Sequence, residues 1–343
     1  MNVHELPMVI FTVVSQMSVG TFITLGVIQL VLGRRHDRAT LERIIAPVLY
    51  AIGPVLVFAL VVSLLHLGDM LNSLNVVRHW ESSWLSREIL LGVSFAAFGF
   101  LFALMEWFGW GSYVLRQVVA GLTALLGIAL LVAESMIYYT LVTVPAWNSW
   151  MVPFSFFATA ALLGVLAVGA ALMATTLIRA RRAETAVAEP QQSVPDQSET
   201  SPSGGGLMVQ VRSRIRQINA PTSATEWKIV SAMLSWFALI GALVAVAILI
   251  AYPLYLGSLA ANGSTAAMQS LEVLTGPLLW VRLACAGVTA LILGFFVYRK
   301  AETTKLHRST TLVAMVLLSL AFAFAGEFIG RMLHYEAMFR IGI

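Results

Sequence analysis

The chain has 343 residues, of which 59% are hydrophobic and 11% charged; its net charge is +4 and its mean hydropathy +0.85. A soluble domain carries about 25% charged residues, so the composition excludes an ordinary soluble enzyme, a nucleic-acid-binding protein and a disordered chain. The length instead suits a single all-α integral membrane domain, because each span takes roughly 20 apolar residues.

Apolar runs long enough to span occur at eight places, over residues 7–32, 44–67, 85–107, 113–142, 150–178, 227–252, 274–298 and 309–334. The first run begins with His4 and Glu5 instead of a basic stretch and is too long for a cleaved signal peptide, so it is expected to stay as a span. Within the second run, Gly53 and Pro54 form the nearest thing to a helix break. Residues 183–225 turn to Pro, Ser, Gln, Gly and Glu, a composition expected of a disordered cytoplasmic linker. Inside it, VQVRSRIRQI alternates apolar and basic residues; this fits an amphipathic strip on anionic lipid, and equally a basic flank with no further role. Cys285 is the one cysteine, which excludes a disulfide framework and thiolate-held zinc or iron–sulfur sites.

Orientation follows from Lys and Arg. Arg34, Arg35, Arg38 and Arg43 lie in the first connection, Arg179, Arg181, Arg182, Arg212, Arg214 and Arg216 in the fifth, and Arg299, Lys300, Lys305 and Arg308 in the seventh. With eight spans these connections share one side, expected to be cytoplasmic, and both termini face outward.

Ionisable groups inside a bilayer are costly and mark function or pairing. Nearly all of them sort to the outer end: His66, Asp69, Glu88, Glu134, Glu272, Arg282, Glu327, Arg331 and His334. Glu106 is the one acid in the inner half, so no acidic path crosses the inner leaflet and proton pumping is not expected. His66 and Glu88 flank one short outer loop. An imidazole titrating near neutrality beside a carboxylate makes a proton-accepting pair, which is what quinol oxidation needs, since two hydroxyl protons must leave with two electrons. Asp69 lies three residues beyond His66 and is placed to orient its ring; Arg87 is placed to hold the Glu88 carboxylate or a quinone oxygen. Pattern alone also fits a helix-end histidine bonded to a loop carbonyl, and an acidic first-turn residue at Glu88 favoured by the helix dipole. Glu327 and Arg331, spaced i,i+4, are expected to pair with each other as a structural ion pair that also lines a cavity, and Arg282 to meet Glu134 or Glu327 across helices. Of the six histidines, only His66 and His334 share a depth, which makes a haem site a poor reading.

Five segments carry a likeness. They are HELPMVIFT (4–12), SLLHLGDMLNSLN (63–75), WLSREI (84–89), TVPAWNSWMVPFSFF (143–157) and AGEFIGR (325–331). In these the chain resembles the membrane anchor (C) subunit of anaerobic dimethyl sulfoxide reductase; the long connection before the sixth span departs from that pattern, and the sixth and seventh spans match by hydropathy alone. The resemblance implies an inner-membrane subunit that holds a molybdopterin catalytic (A) subunit and an iron–sulfur (B) subunit at the outer face. It implies oxidation of menaquinol to menaquinone and no haem or iron–sulfur cluster in this chain, with His66 and Glu88 as the quinol-site pair. Asp69, Arg87, Asn72 and Asn75 join them on proximity to the same loop. Three other readings stay open: an anchor of another molybdenum reductase (polysulfide, tetrathionate or selenate type), a passive anchor, and a secondary transporter, which would want midplane groups and broken helices.

Overall fold

A computed structural model of the chain describes residues 6–64, 79–188, 207–306 and 309–342. Among these the regular structure is helical: α1 (Leu6–Leu32), α2 (Arg38–Leu64), α3 (Trp84–Phe108), α4 (Tyr113–Tyr139), α5 (Met151–Ala188), α6 (Leu207–Asn219), α7 (Ala224–Asn262), α8 (Thr265–Leu274), α9 (Pro277–Leu291), α10 (Tyr298–Ala301) and α11 (Thr310–Glu336). A π-helical turn (Ile292–Val297) joins α9 to α10 into one rod. Among the described residues eight helices are long and apolar enough to cross a membrane: α1, α2, α3, α4, α5, α7, the α9–α10 rod and α11. Eight crossings put the start of α1 and the end of α11 on one face, called here the terminal face, and the Arg-rich connections on the other, the basic face.

Helix limits depart from the hydropathy limits where polar residues carry helix propensity. α5 runs 38 residues and α7 runs 39, each roughly 57 Å against a hydrocarbon core of about 30 Å. Nothing in RARRAETAVA after Ile178 breaks a helix, so α5 continues past its apolar stretch. α7 starts at a full capping box, in which the Ser223 hydroxyl and the Glu226 carboxylate each accept the other's backbone N–H, and it runs through Pro253. α2 starts six residues before its apolar run, where the Asp37 carboxylate accepts the Thr40 N–H at 2.9 Å. That bond holds the exposed Asp37 carboxyl below the usual carboxylate range. α2 also runs unbroken through Pro47 and Pro54. The expected linker is not uniform: its first residues continue α5, and 207–219 form α6. Residues 189–206 lie outside the described residues.

α1 is the central pillar, packed by α2, α4, α5 and α11. Its contact with α5 is set by small residues. A Cβ on Gly20 would lie 1.8 Å from the Ala160 carbonyl oxygen, and one on Gly164 would lie 2.4 Å from the Gly20 carbonyl carbon. Ala160 and Gly164 are one helical turn apart, the small-xxx-small spacing that lets membrane helices touch backbone to backbone. Large apolar side chains such as Val93, Leu101, Val114, Leu125, Leu243, Ile250 and Leu291 stay exposed around the bundle, as expected where the solvent is lipid.

Candidate functional site

The site grows from the ends of helices at the terminal face. α3 begins there because Ser83 caps it, its hydroxyl accepting the Ser86 N–H at 3.3 Å. Arg87 and Glu88 are adjacent in sequence and so point different ways from the helix. Arg87 turns back over the preceding loop: it donates to the Trp80 and Glu81 carbonyls (2.9 and 2.5 Å) and lies 4.2 Å over the Trp84 ring. It thus holds the loop rather than Glu88. Glu88 turns inward, 7% exposed, one turn inside the helix end rather than in its first turn. It lies within electrostatic range of Glu134 on α4, Tyr138 and Tyr335.

Behind Glu88 stands a buried polar cluster. The Glu134 carboxylate, fully buried, accepts from the Ser15 hydroxyl at 2.7 Å and the Gln16 amide at 2.9 Å, both on α1. The Gln16 carbonyl in turn accepts from Arg331 on α11 at 2.9 Å. Arg331 also lies over the Phe156 ring, 3.6 Å from its centre. Glu327 accepts from the Thr159 hydroxyl at 2.6 Å and faces Arg282 at 3.7 Å, while Arg282 donates to the Tyr252 hydroxyl. Gly330 makes room for that guanidinium, since a Cβ there would meet it at 2.2 Å.

Glu327 and Arg331 therefore do not form the expected i,i+4 pair. Each charge is fully desolvated, and a partner on its own helix supplies one contact, whereas neighbouring helices supply several. Arg282 meets Glu327 and not Glu134. Arg282, Glu327, Gly330, Arg331 and His334 enclose a cavity of about 20 Å³, room for about one water. Trp147 holds His334, stacked on its ring (centroids 5.3 Å apart) and donating to its carbonyl at 2.7 Å. The His334 Nε2 and the Nε atoms of Arg282 and Arg331 are buried with no hydrogen-bond partner among the described residues. Tyr138 and Tyr335 share a hydrogen bond of 3.0 Å beside them.

His66, Asp69, Asn72 and Asn75 lie outside the described residues. α2 is described to Leu64, on the face where α3 begins. Ser15, Gln16, Thr159 and Tyr252 were not anticipated, because sorting by ionisable side chains passes over neutral ones; the Ser-Gln pair inside an apolar run was the available signal. Among the described residues no cluster of three or more His, Cys, Asp or Glu is set to hold a metal.

The cluster's charges depend on each other. Glu327→Leu should destabilise the protein by about 3–5 kcal/mol, because it strands Arg282. Replacing Glu327 and Arg282 together with Met should cost less than either single change. Thermal unfolding of the purified protein in detergent checks this; an additive double variant would contradict the pairing.

Comparison with known proteins places these helices in a family context. A family model described as DMSO reductase anchor subunit (DmsC) matches residues 1–190, which takes in α1 to α5 with Glu88 and Glu134. The C subunit of anaerobic dimethyl sulfoxide reductase from Haemophilus influenzae is 28% identical over 164 residues, 48% of this chain and 57% of that protein. Its Escherichia coli counterpart is 31% identical over 156 residues (46% and 53%), and the anaerobic dimethyl sulfoxide reductase subunit YnfH of Escherichia coli is 30% identical over 171 residues (50% and 58%). The present sequence thus spans about half the length of the curated relatives it matches. The AGEFIGR segment, with Glu327 and Arg331, lies beyond the residues that the family model matches.

Proposed function

The chain belongs to the DMSO reductase anchor subunit family and is a multi-pass membrane protein, and from that premise we propose that it anchors a molybdoenzyme complex in the inner membrane and oxidises menaquinol for it. The observation that carries the reading is the gathering of buried proton-accepting groups at one end of the bundle. Glu88 stands inside α3, near Glu134 and the Tyr138–Tyr335 pair, at the face where the described part of α2 reaches Leu64, two residues before His66 in the sequence. At the basic face the two buried acids within spans among the described residues are each paired with an arginine: Glu106 lies 3.5 Å from Arg116 and Glu226 2.7 Å from Arg43.

In this reading menaquinol enters from lipid between the ends of α2 and α3. His66 accepts a hydrogen bond from one hydroxyl and takes its proton; Glu88 takes the other. Asp69 orients the imidazole, and Asn72 and Asn75 line the same loop. Arg87 fixes the approach to α3 instead of touching the quinol. Menaquinol loses two protons and two electrons and leaves as menaquinone. The electrons pass to an iron–sulfur subunit docked on the terminal face, and from it to a molybdopterin subunit. The Arg-rich face is cytoplasmic by the positive-inside rule, so the terminal face is outer and the protons are released there, without pumping. The terminal acceptor is set by the partner, so a polysulfide, tetrathionate or selenate type of reductase would use this anchor equally. The unbroken α2 and the sorting of ionisable groups away from midplane disfavour a transporter.

The test is His66→Arg in the assembled complex. Electron flow from a menaquinol analogue should be abolished while the complex stays on the membrane and still accepts electrons from an artificial dye. Quinol-linked turnover at the unsubstituted rate would remove the basis of the proposal.

A further inference from the structure

A cavity larger than the one beside His334 lies away from this site. It measures about 290 Å³ and opens at the basic face, between the end of α1, the start of α2, the end of α3 and α6. Its wall is apolar, formed by Leu41, Ile45, Leu49 and Phe102, and its rim is charged, formed by Arg38, Arg214, Glu42 and Glu106.

The rim's own two arginines and two glutamates sum to zero, and Arg116, outside the lining but beside Glu106, adds one more cation. Arg214 donates to Glu42 at 3.1 Å and to the Glu106 carbonyl at 3.1 Å. Glu106 is held by Arg116. Both acids are therefore occupied by cations. Arg38 lies over the Tyr113 ring at 4.7 Å and has no carboxylate within ion-pair distance among the described residues. The Nε of Arg214 is buried and unbonded. The Tyr50 hydroxyl lies beside the same guanidinium, outside hydrogen-bonding geometry, with its ring packed edge-on against Trp107 at 4.8 Å. Three donors thus surround one apolar slot, and with Arg116 counted the local charge sums to +1.

Arg214 is also held in place. Arg179 donates to the Ile218 carbonyl at the end of α6 (2.8 Å) and to the Arg43 carbonyl (3.0 Å). Arg43 donates to the Ala220 and Pro221 carbonyls and pairs with Glu226 at 2.7 Å. This clasp fixes α6 across the mouth of the cavity. α6 lies beyond the residues that the family model matches.

We propose that this cavity binds the phosphate of a membrane glycerophospholipid between Arg38 and Arg214, with one acyl chain along Leu41, Ile45, Leu49 and Phe102. Guanidinium groups match phosphate oxygens in shape and charge, and they are less strongly hydrated than an ammonium. The volume is at the small end of ligand pockets, which run from about 300 to 1,000 Å³, so it takes the headgroup and the first part of one chain while the rest stays in the bilayer. The lipid then locks α6 to α2, and the proposal stands apart from the quinol reading.

The experiment is native mass spectrometry of the delipidated full-length protein in detergent, titrated separately with phosphatidylglycerol, diacylglycerol and inorganic phosphate. One phosphatidylglycerol should be retained, with diacylglycerol and inorganic phosphate each at least about tenfold weaker, as loss of charge-assisted bonds predicts. Arg38→Gln and Arg214→Gln should each weaken retention by about tenfold or more. Leu49→Phe, which fills the apolar wall and leaves both arginines in place, should also exclude the lipid and guards against a variant that fails to fold. Equal retention of diacylglycerol, wild-type retention in the arginine variants or in Leu49→Phe, or binding of inorganic phosphate as tight as that of the lipid would overturn the proposal.

Discussion

Glu88→Gln should lower quinol-driven turnover of the assembled complex by about 10²- to 10⁴-fold, the usual worth of a positioned general base. Glutamine keeps the size and hydrogen-bonding shape of the side chain, so α3 should pack as before, its start being held by Ser83 and by Arg87 on the Trp80 and Glu81 carbonyls. What is lost is the acceptor for one quinol proton. The effect should fall on kcat more than on KM, and Glu88→Asp, which restores a carboxylate at shorter reach, should recover part of the rate. Steady-state kinetics with a menaquinol analogue, beside turnover driven by an artificial dye, separates this from loss of the partner subunits. A glutamine variant as fast as the unsubstituted protein would remove Glu88 from the mechanism.

Gly20→Val should prevent the bundle from forming. The Cβ alone would sit 1.8 Å from a backbone oxygen of Ala160, and no rotation of a side chain relieves a contact with main chain. α1 and α5 would have to separate, and with them the polar cluster that ties Ser15 and Gln16 to Glu134 and Arg331. The cost should be about 3 kcal/mol or more, beyond the usual range for overpacking. Gly26→Ala on the same helix is the control. Nothing lies within 4 Å of a Cβ there, so that change should be neutral or stabilising by up to about 1 kcal/mol. Yield of monodisperse protein in detergent and its thermal midpoint read both. If Gly20→Val folds as well as Gly26→Ala, the close crossing of α1 and α5 is wrong.

The number and order of the spans were legible because lipid demands one simple signal, a run of about twenty apolar residues. Helix ends were less legible. Hydropathy stops at Ile178, but the helix continues through RARRAETAVA to at least Ala188, and α6 hides in an alternation of apolar and basic residues that reads equally as a strip or a flank. The depth of the charged residues was legible, since eight alternating spans fix it. Their pairing was not: proximity in sequence favoured Glu327 with Arg331, whereas the helix packing gives Glu327 to Arg282 and Thr159, and Arg331 to Gln16. Arg87 does not hold Glu88 for a local reason: neighbours on a helix lie about 100° apart, and with Glu88 facing inward Arg87 turns to the Trp80 and Glu81 carbonyls. The likeness to the anchor family was legible in four short segments within the residues that the family model matches, and the fifth, AGEFIGR, lies outside them.

In the proposed mechanism the quinol is bound and stripped of its protons between His66 and Glu88, at the start of α3. The most direct measurement is titration of a fluorescent quinol-site inhibitor into membranes carrying the assembled complex, with and without His66→Arg. Saturable quenching at one site per complex, lost in the His66→Arg membranes at equal complex content, is the predicted result. Undiminished saturable binding in those membranes would place the quinol elsewhere and contradict the account.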